Sequence, residues 1–555
     1  MKLQNKFCTS LFLITVFIIC FNLLGFKTSD YNDEKTYSSL VKVFANKIND
    51  GDLPDWATMD PEKDGFEGTR TKEFFKYLQT LDFVPERKEV IVAVIDSGFD
   101  IEHTDLQENI WNNENEVRGI KGIDDDANGY IDDFYGWNFL GNTKYLSLEV
   151  TREYLRLKKA NTPESDKYFQ RVEEEYESKK EETMTTKVGL SQTLDDVLDA
   201  EKILKTKNIS TDPKQLMEIS DKLPEGKVSD AASIILGVYM LFGLDKNGLV
   251  ELTEEYETKA KYLYDTTNTH SLIGDNPEIL LETNYGNNDV SEKKEIHGTH
   301  VAGIIASKKT GQAPFAKIMC LRAVPNEGDE RDKDVGNAIR YAVDNGASII
   351  NMSAGKYFSP DPEFVVEAIK YAESKGVLFV ISAGNEGDDI SDIVNYPRKY
   401  YIENGNKKYF SNMIVVGANS WMKKWTQEKD PENKNLKYDL AAPFSNYSKE
   451  VIDIFAPGVQ INSTVPGNKY KEVDGTSMAS PEVTGVAAVL KSYYPTLTAQ
   501  QLKEAIVLSA RQYPGLMVKV KGKSKELFSN LSKSGGVIDL MNAYKKAGEL
   551  VGLQN

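Results

Sequence analysis

The chain has few of the residues from which disulfide frameworks and zinc sites are built. Its 555 residues include three cysteines and four histidines. Cys8 and Cys20 lie in an apolar N-terminal segment, which leaves Cys320 alone in the apolar run AKIMCLRAV. These counts exclude a disulfide framework in the rest of the chain. We predict that Cys320 is a buried and unreactive thiol.

Basic residues are also in deficit. The 67 lysines and arginines are outnumbered by 85 aspartates and glutamates, which gives a net charge of -18. Nucleic-acid-binding surfaces are basic, so we expect no nucleic-acid partner. The acidic excess favours solubility and does not define a protein substrate.

The first 26 residues differ from the rest of the chain. Lys2 and Lys6 precede FCTSLFLITVFIICFNLLGF, residues 7–26, which contains no charged side chain. A basic start followed by an apolar stretch is typical of an export signal. About 20 apolar residues can also span a bilayer, so an uncleaved anchor stays open, as does lipidation of Cys20. We expect an exported protein, secreted, periplasmic or attached to the cell envelope, that contacts a membrane only through this segment.

Buried strands and amphipathic helices alternate along most of the chain. EVIVAVID, residues 89–96, contains an unbroken run of six apolar residues. Similar runs recur at AKIMCLRAV, ASIINMS, GVLFVISAG, NMIVVGA and VIDIFAPG, and helical stretches precede several of them. Strands that are apolar on both faces are typical of parallel sheets. The alternation therefore predicts an α/β fold with a mostly parallel, doubly wound sheet.

Two of the histidines, His297 and His300, lie three residues apart in EIHGTHVAGIIAS. Zincins need a four-residue offset and a glutamate, so this spacing does not support a zinc site. Val301, Ile304 and Ile305 lie on one face of a predicted helix, and this places His297 near the helix N-terminus. An imidazole there can act as a base only with a carboxylate to orient it and a nucleophile to deprotonate.

Two other motifs offer such groups. Asp96 in VIDSG ends the first buried strand, at the edge where α/β sheets place their sites. A buried carboxylate is costly unless it is paired. Ser477 in DGTSMASPEVTGVAAVL opens a predicted helix, whose free N–H groups can stabilise an oxyanion. Taken singly, each residue could also be a structural helix cap.

Together, VIDSG, HGTHVAG and GTSMASP make the chain resemble the subtilisin-like serine proteases (subtilases, peptidase family S8), whose triad has the order Asp, His, Ser. The resemblance implies a three-layer α/β/α fold and a catalytic triad of Asp96, His297 and Ser477. SAGNEG matches the family's oxyanion-hole asparagine at Asn385. The implied function is that of an exported serine endopeptidase. An inactive scaffold and a metallohydrolase are the alternatives.

The resemblance also implies a cleft for protein or peptide substrates. NMSAG matches the segment that pairs with an extended peptide as an added strand, and ISAGN matches the opposite wall. The substrate-binding residues so implied are Ser353, Ala354, Gly355, Ser382, Ala383 and Gly384. His300 belongs to the histidine motif but not to the triad, and we expect it to be structural.

The region between the first two triad residues departs from the family pattern. It is rich in glutamate, lysine and leucine at helical spacing and shows no buried-strand run. We predict a signal or anchor (1–26), an N-terminal extension (27–55), a peptidase domain in two parts (56–143 and 292–548), a mostly helical insertion (144–291) and a C-terminal tail (549–555). The insertion is interpreted either as a cap that restricts access to the cleft or as a peripheral decoration with a solvated surface.

DDDANGYIDD resembles the first part of a calcium loop, in which oxygen-bearing residues alternate and glycine takes position six. The candidate ligands are Asp124, Asp126, Asn128, Tyr130 and Asp132. Position 12 is Tyr135, so the loop is not an EF-hand. Similar loops in related subtilases imply structural Ca²⁺, with a solvated acidic turn as the alternative. We expect no organic cofactor. Asp105, which the resemblance places in another calcium site, is expected to lack its partner ligands.

Overall fold

The structure, a computed structural model, describes residues 55–81, 86–265, 270–423 and 439–552. These residues divide into two compact units. One unit holds residues 150–265, and the other holds residues 55–149, 270–423 and 439–552. The predicted signal or anchor and nearly all of the N-terminal extension lie outside the described residues.

A nine-stranded sheet organises the larger unit. The described strands are β1 (Ile91–Asp96), β2 (Gly136–Asn138), β3 (Lys317–Arg322), β4 (Ile349–Met352), β5 (Leu378–Ser382), β6 (Tyr400–Glu403), β7 (Asn406–Tyr409), β8 (Met413–Asn419), β9 (Ile454–Pro457), β10 (Ile461–Val465), β11 (Lys469–Val473), β12 (Arg511–Gln512), β13 (Met517–Val520), β14 (Lys523–Leu527) and β15 (Gly536–Val537). The sheet has the order β12-β15-β9-β8-β5-β4-β1-β3-β2, and every pair is parallel except β12 with β15.

Helices cover both faces of this sheet. The described helices are α1 (Thr71–Gln79), α2 (Glu114–Arg118), α3 (Glu149–Lys159), α4 (Lys167–Lys205), α5 (Pro213–Ile219), α6 (Lys227–Phe242), α7 (Lys246–Tyr262), α8 (His270–Ile273), α9 (His297–Ala306), α10 (Asp332–Asp344), α11 (Pro362–Ser374), α12 (Thr476–Tyr493), α13 (Ala499–Leu508) and α14 (Leu540–Leu550). One layer contains α9 and α12, which pack on each other and on the central strands, and a second layer contains α10 and α11. The predicted three-layer, mostly parallel α/β fold is confirmed.

The six apolar runs of the sequence form β1, β3, β4, β5, β8 and β9, and nearly all of their side chains are buried. This burial follows from the helices on both faces. Cys320, on β3, is fully buried as predicted, and burial raises the pKa of its thiol.

The strand order reverses at β1. β3 lies on one side of β1, with Asp96 opposite Arg322, and β4 lies on the other, with Ile95 opposite Met352. Ligands of open α/β sheets bind at the carboxyl ends of the strands, where the order reverses. The side chains that follow β1, β4 and β5 therefore share one edge of the sheet.

The smaller unit contains α4 to α7 and all of α3 except its first residue, and every regular element in residues 150–265 is helical. It has a buried core of its own, formed by Leu190, Val197, Ala200, Leu204, Leu216, Ala231, Ala232, Ile235, Leu236, Val238 and Leu249. The hydroxyl of Thr151 donates a hydrogen bond to the carbonyl of Leu263 at 2.8 Å, so the two ends of the unit lie together.

Among the described helices, none by itself has the length and apolar character needed to cross a bilayer. Only α6 and α7 taken together meet those criteria, and they are bent by 65° relative to each other.

Candidate active site

Asp96 and His297 form a hydrogen-bonded pair at the carboxyl edge of the sheet. Strand β1 ends at Asp96, and α9 begins at His297. His297 Nδ1 donates to Asp96 Oδ1 at 2.8 Å, and the same oxygen accepts the Ser97 N–H at 2.8 Å. The Asp96 side chain is 2% exposed and that of His297 is 32% exposed. The carboxylate is therefore shielded from solvent, while the imidazole is open to an incoming molecule.

The surroundings of His297 favour its charged form. Partial burial lowers the pKa of the imidazole, but the charge and hydrogen bond of Asp96, together with the charge of Glu295, outweigh it and raise that pKa to about 9. A base whose protonated form is stabilised in this way can hold a proton taken from a nucleophile.

Glycine allows α9 to begin beside Asp96. A Cβ atom at Gly298 would lie 2.3 Å from the Gly98 carbonyl oxygen and 3.1 Å from Asp96 Oδ1. The first distance is shorter than any normal contact, so a side chain here would push the helix away from the strand. Gly298 thus allows His297 and Asp96 to approach each other closely.

Ser477 is the second residue of α12. Its hydroxyl donates to the Ser353 carbonyl oxygen at 3.1 Å. Within the part of the chain that the structure describes, it makes no hydrogen bond with His297. Ser353 follows β4, the neighbour of β1, so Ser477 lies at the same sheet edge as the Asp96–His297 pair. Catalytic hydrogen bonds are often long without substrate and tighten when substrate binds.

A buried network fixes the start of α12 on β4. The Ser353 hydroxyl lies 2.9 Å from the Ser477 carbonyl oxygen and 2.8 Å from the Ser480 hydroxyl, and it accepts from Asn351 Nδ2 at 3.1 Å. The Thr484 hydroxyl donates to Asn351 Oδ1 at 2.8 Å. Asn351 and Ser480 lie within the quoted motifs, but no role was predicted for them or for Thr484. Their polarity within apolar strand and helix patterns was the available signal.

Asn385 lies beside the start of α12. Asn385 Oδ1 accepts from Thr476 N at 2.8 Å and from Thr476 Oγ1 at 2.9 Å, which fixes the orientation of the amide. A Cβ atom built on Gly475 would lie 3.6 Å from Ser477 N and 3.8 Å from Asn385 Nδ2. Both nitrogen atoms, together with Met478 Sδ at 3.5 Å, thus lie at ordinary contact distance from the side-chain position that is vacant at Gly475.

The two predicted substrate segments follow the neighbouring strands β4 and β5. Gly355 is exposed, and the backbone groups of Ala354 and Gly355 form no hydrogen bonds to other described residues. On the opposite segment, the Ala383 carbonyl accepts from Asn446 Nδ2 at 3.0 Å, and the Gly384 carbonyl accepts from the Asn446 backbone N–H at 3.1 Å. Ser382 is the last residue of β5 and is buried. The backbone of Ala354 and Gly355 is therefore available for pairing with a peptide. The second segment is instead held in place by its hydrogen bonds with Asn446.

The acidic loop brings together two of the predicted residues, Asp124 and Asp126, with a third carboxylate from outside the loop. Carboxylate oxygens of Glu116, Asp124 and Asp126 all lie within 4.8 Å of one another. Both oxygens of Asp132 instead accept from the Gly122 N–H, at 3.0 and 2.8 Å. Glu116, on α2, was not predicted because it is outside the loop motif.

The other two loop residues take part in internal contacts. Asn128 Oδ1 accepts from the Tyr130 N–H at 2.8 Å, while its Nδ2 donates to Asp133 Oδ2 at 3.0 Å. The Tyr130 ring is buried and contacts the rings of Trp137 and Tyr341 edge to face. The Asn128 Nδ2 also donates to Asp126 Oδ2 at 3.3 Å, so this side chain borders the carboxylate cluster.

His300 is buried one turn after His297. Its Nε2 donates to the Lys471 carbonyl oxygen at 2.9 Å, and burial lowers the pKa of the imidazole to about 4, so the ring is neutral. In the described ranges, the carboxylate cluster is the one group of three or more potential metal ligands, and it contains no histidine. The geometry therefore does not support zinc bound by the His297 and His300 pair.

Asp105 is held by hydroxyl groups. Its carboxylate accepts from the Ser307 hydroxyl and, at 3.0 Å, from the Tyr470 hydroxyl. These neighbours are donors, whereas a calcium site would need further oxygen acceptors around the carboxylate.

Comparisons with known proteins agree with the motifs. The subtilase family model matches residues 87–529. The chain is 39% identical over 202 residues to a thermophilic serine proteinase of Bacillus sp. (strain AK1), a match that covers 35% of this chain and 42% of that protein. It is 34% identical over 221 residues to subtilisin DY of Bacillus licheniformis (39% of this chain, 70% of the relative). It is 35% identical over 245 residues to the major intracellular serine protease of Bacillus subtilis (strain 168), a match that covers 42% of this chain and 68% of the relative. The chain thus spans less than half the length of the first of these relatives.

Proposed function

The chain belongs to the subtilase family, and on that premise we propose that it is a serine endopeptidase. Ser477 is the nucleophile, His297 the general base and Asp96 the group that orients the base. The observation that carries the proposal is the 2.8 Å hydrogen bond between His297 Nδ1 and the buried Asp96 carboxylate, at the same sheet edge as Ser477.

The first half of the reaction forms an acyl-enzyme. Because Asp96 holds the Nδ1–H, Nε2 of His297 is the nitrogen that accepts a proton. Ser477 Oγ forms a bond to the carbonyl carbon of the substrate as its proton moves to Nε2. The imidazolium then gives this proton to the amine nitrogen, and the C–N bond breaks. Asp96 stabilises the charge on the imidazole while the proton is held.

The second half returns the enzyme to its starting state. His297 takes a proton from water, and the hydroxyl oxygen attacks the acyl carbon. The proton passes to Ser477 Oγ as the ester bond breaks. In both halves, Asn385 Nδ2 and the Ser477 N–H donate to the negative oxygen, and their positions beside Gly475 support this role.

The open backbone of Ala354 and Gly355 supports binding of an extended peptide as an added strand. Residues 382–384 form the opposite wall. Both segments follow adjacent parallel strands, which supports a cleft for an extended substrate between them.

Hydrolysis of an unstructured protein such as denatured casein tests the proposal. The wild-type protein should release new amino termini, and Ser477→Ala should abolish the release while its circular dichroism spectrum stays unchanged. A zinc chelator should have no effect at a concentration that inhibits a zinc protease control. Activity that survives Ser477→Ala and disappears with the chelator would favour the metallohydrolase.

We further propose that Glu116, Asp124 and Asp126 hold a structural Ca²⁺. Three carboxylates with oxygens within 4.8 Å are the hard donors that this ion prefers. The ion would neutralise their mutual repulsion and fix the loop between α2 and β2. It has no part in the steps above.

We propose that the helical unit restricts which substrates the enzyme cleaves. The unit lies in the sequence between Asp96 and His297 and has its own buried core. Its first and last residues are close in space, since Thr151 and Leu263 are joined by a hydrogen bond. Replacing residues 152–262 with a short glycine-serine linker should speed cleavage of a folded protein and leave cleavage of a tetrapeptide unchanged. An unaltered ratio of the two rates would show that the unit is a peripheral decoration.

Export is proposed from the uncharged run at residues 7–26. One relative is named as an intracellular protease, so family membership does not decide the location. Amino-terminal sequencing of the protein from medium, envelope and cytosol fractions distinguishes a cleaved signal, an anchor and an intracellular protein.

A further inference from the structure

A second carboxylate lies against the proposed base. Glu295 Oε2 accepts the backbone N–H of His297 at 2.7 Å and the Ser97 hydroxyl at 2.6 Å. The Ser97 hydroxyl oxygen also lies 3.2 Å from Asp96 Oδ1. Glu295 is therefore joined to His297 directly and to Asp96 through one hydroxyl group.

Glu295 also takes over the task of a helix cap. The residue before α9 is Ile296, whose side chain cannot accept a hydrogen bond, and no side-chain cap is formed there. The first N–H groups of a helix need acceptors from outside the helix, and a negative charge is favourable at that end. Glu295 supplies both at the residue that carries the imidazole.

Two acidic groups act on the charge of His297, and the cation Arg322, opposite Asp96 on β3, interacts with one of them, Glu295. Asp96 faces the ring from the end of β1, and Glu295 lies at the start of α9. His300, one turn along α9, is neutral because burial lowers its pKa to about 4. The charge of Glu295 is one of the causes that raise the pKa of His297 to about 9.

We propose that Glu295 is a positioning residue for His297, which fixes the helix start under the imidazole and stabilises the imidazolium that forms when Ser477 is deprotonated. The proposal rests on the proposed function of Asp96, His297 and Ser477. An interaction that grows as charge develops on the ring lowers the barrier and not only the energy of the bound substrate.

The variant Glu295→Gln keeps the size of the side chain and an acceptor oxygen but removes the charge. When kcat/KM of this variant is plotted against pH, the acid limb should lie at a pH lower than in the wild type by about half to one unit. Its kcat should fall severalfold with little change in KM, and Glu295→Ala, which loses the acceptor as well, should lose more kcat. Glu102→Gln is the matched control, because Glu102 is an exposed carboxylate paired with Lys293. A Glu295→Gln profile that superimposes on the wild-type profile would overturn the proposal.

A second readout does not depend on turnover. In Ser477→Ala protein, the ring titration of His297 is followed by nuclear magnetic resonance and assigned with His297→Gln. Adding Glu295→Gln should lower the pKa of the ring by the same amount as the acid limb, and an unchanged pKa would refute the coupling. The wild-type chain could fail to cleave peptides while Glu295→Gln still lowers the ring pKa. That result would contradict the proposed endopeptidase function but support the role of Glu295 in the ionisation of His297.

Discussion

Replacing Asp96 with asparagine removes the charge that His297 Nδ1 contacts and keeps the shape of the side chain. The pKa of His297 should fall from about 9 toward its ordinary 6.5, equivalent to a loss of up to about 3 kcal/mol of preference for the imidazolium. The limiting kcat should fall by about 10³–10⁴, because an amide neither holds the correct tautomer nor stabilises the charged ring. The two effects have opposite signs at neutral pH. More of the base is in its active form, yet each molecule reacts more slowly.

The pH profile of kcat/KM between pH 5 and 11 separates these effects. For Asp96→Asn, the acid limb should move to lower pH while the plateau drops. Because the pKa of His297 is higher in the folded protein than in the unfolded chain, protonation of His297 stabilises the fold. This stabilisation is complete below pH 6.5, the pKa in the unfolded chain, and is lost as the pH rises through about 9. The Tm difference between wild type and variant should therefore be larger at pH 6 than at pH 10. An unchanged plateau, or a limb that stays in place, would refute the role of Asp96.

Three further changes probe neighbouring features. Asn385→Leu should lower kcat by about 10²–10³ with KM almost unchanged, the loss known for the equivalent donor in a subtilisin; equal kcat would remove Asn385 from the oxyanion hole. Ser353→Ala, made in inactive Ser477→Ala protein, should lower the free energy of unfolding in urea by about 1–3 kcal/mol, because Ser480 and Asn351 lose a buried partner. Equal urea midpoints would contradict this. Adding EDTA should lower the Tm of the wild-type protein but not that of Glu116→Gln; a Tm that EDTA leaves unchanged would contradict the calcium proposal.

Strands that consist of a continuous apolar run could be predicted from the sequence. β1, β3, β4, β5, β8 and β9 are covered on both faces, so their sequences are apolar throughout and can be read without tertiary information. β2, β12 and β15 contain two or three residues each, too few for any pattern. They form because neighbouring strands offer them backbone partners.

The same distinction holds for the site. Asp96, His297, Ser477 and Asn385 stand in motifs that can be recognised from contiguous residues. The hydrogen bond from Thr484 to Asn351 joins positions 133 residues apart, and no local pattern encodes it.

The directions of two acidic side chains could not be predicted from the sequence either. Glu295 is only two residues from His297, but its importance depends on the direction of its carboxylate. The hydrogen bond from the Gly122 N–H to the Asp132 carboxylate could not be inferred either, and Asp132 has a left-handed backbone conformation (φ 54°) that is uncommon for residues other than glycine.

Labelling with a fluorophosphonate probe tests the central claim most directly, since it reports an activated serine without requiring a known substrate. The probe should modify folded wild-type protein at Ser477 alone, as mapped by mass spectrometry, and the rate should fall by orders of magnitude in His297→Ala. Labelling should be absent from heat-denatured protein. A folded wild-type chain that stays unlabelled, or that is labelled equally fast without His297, would contradict the assignment of Ser477 as a nucleophile activated by the Asp96–His297 pair.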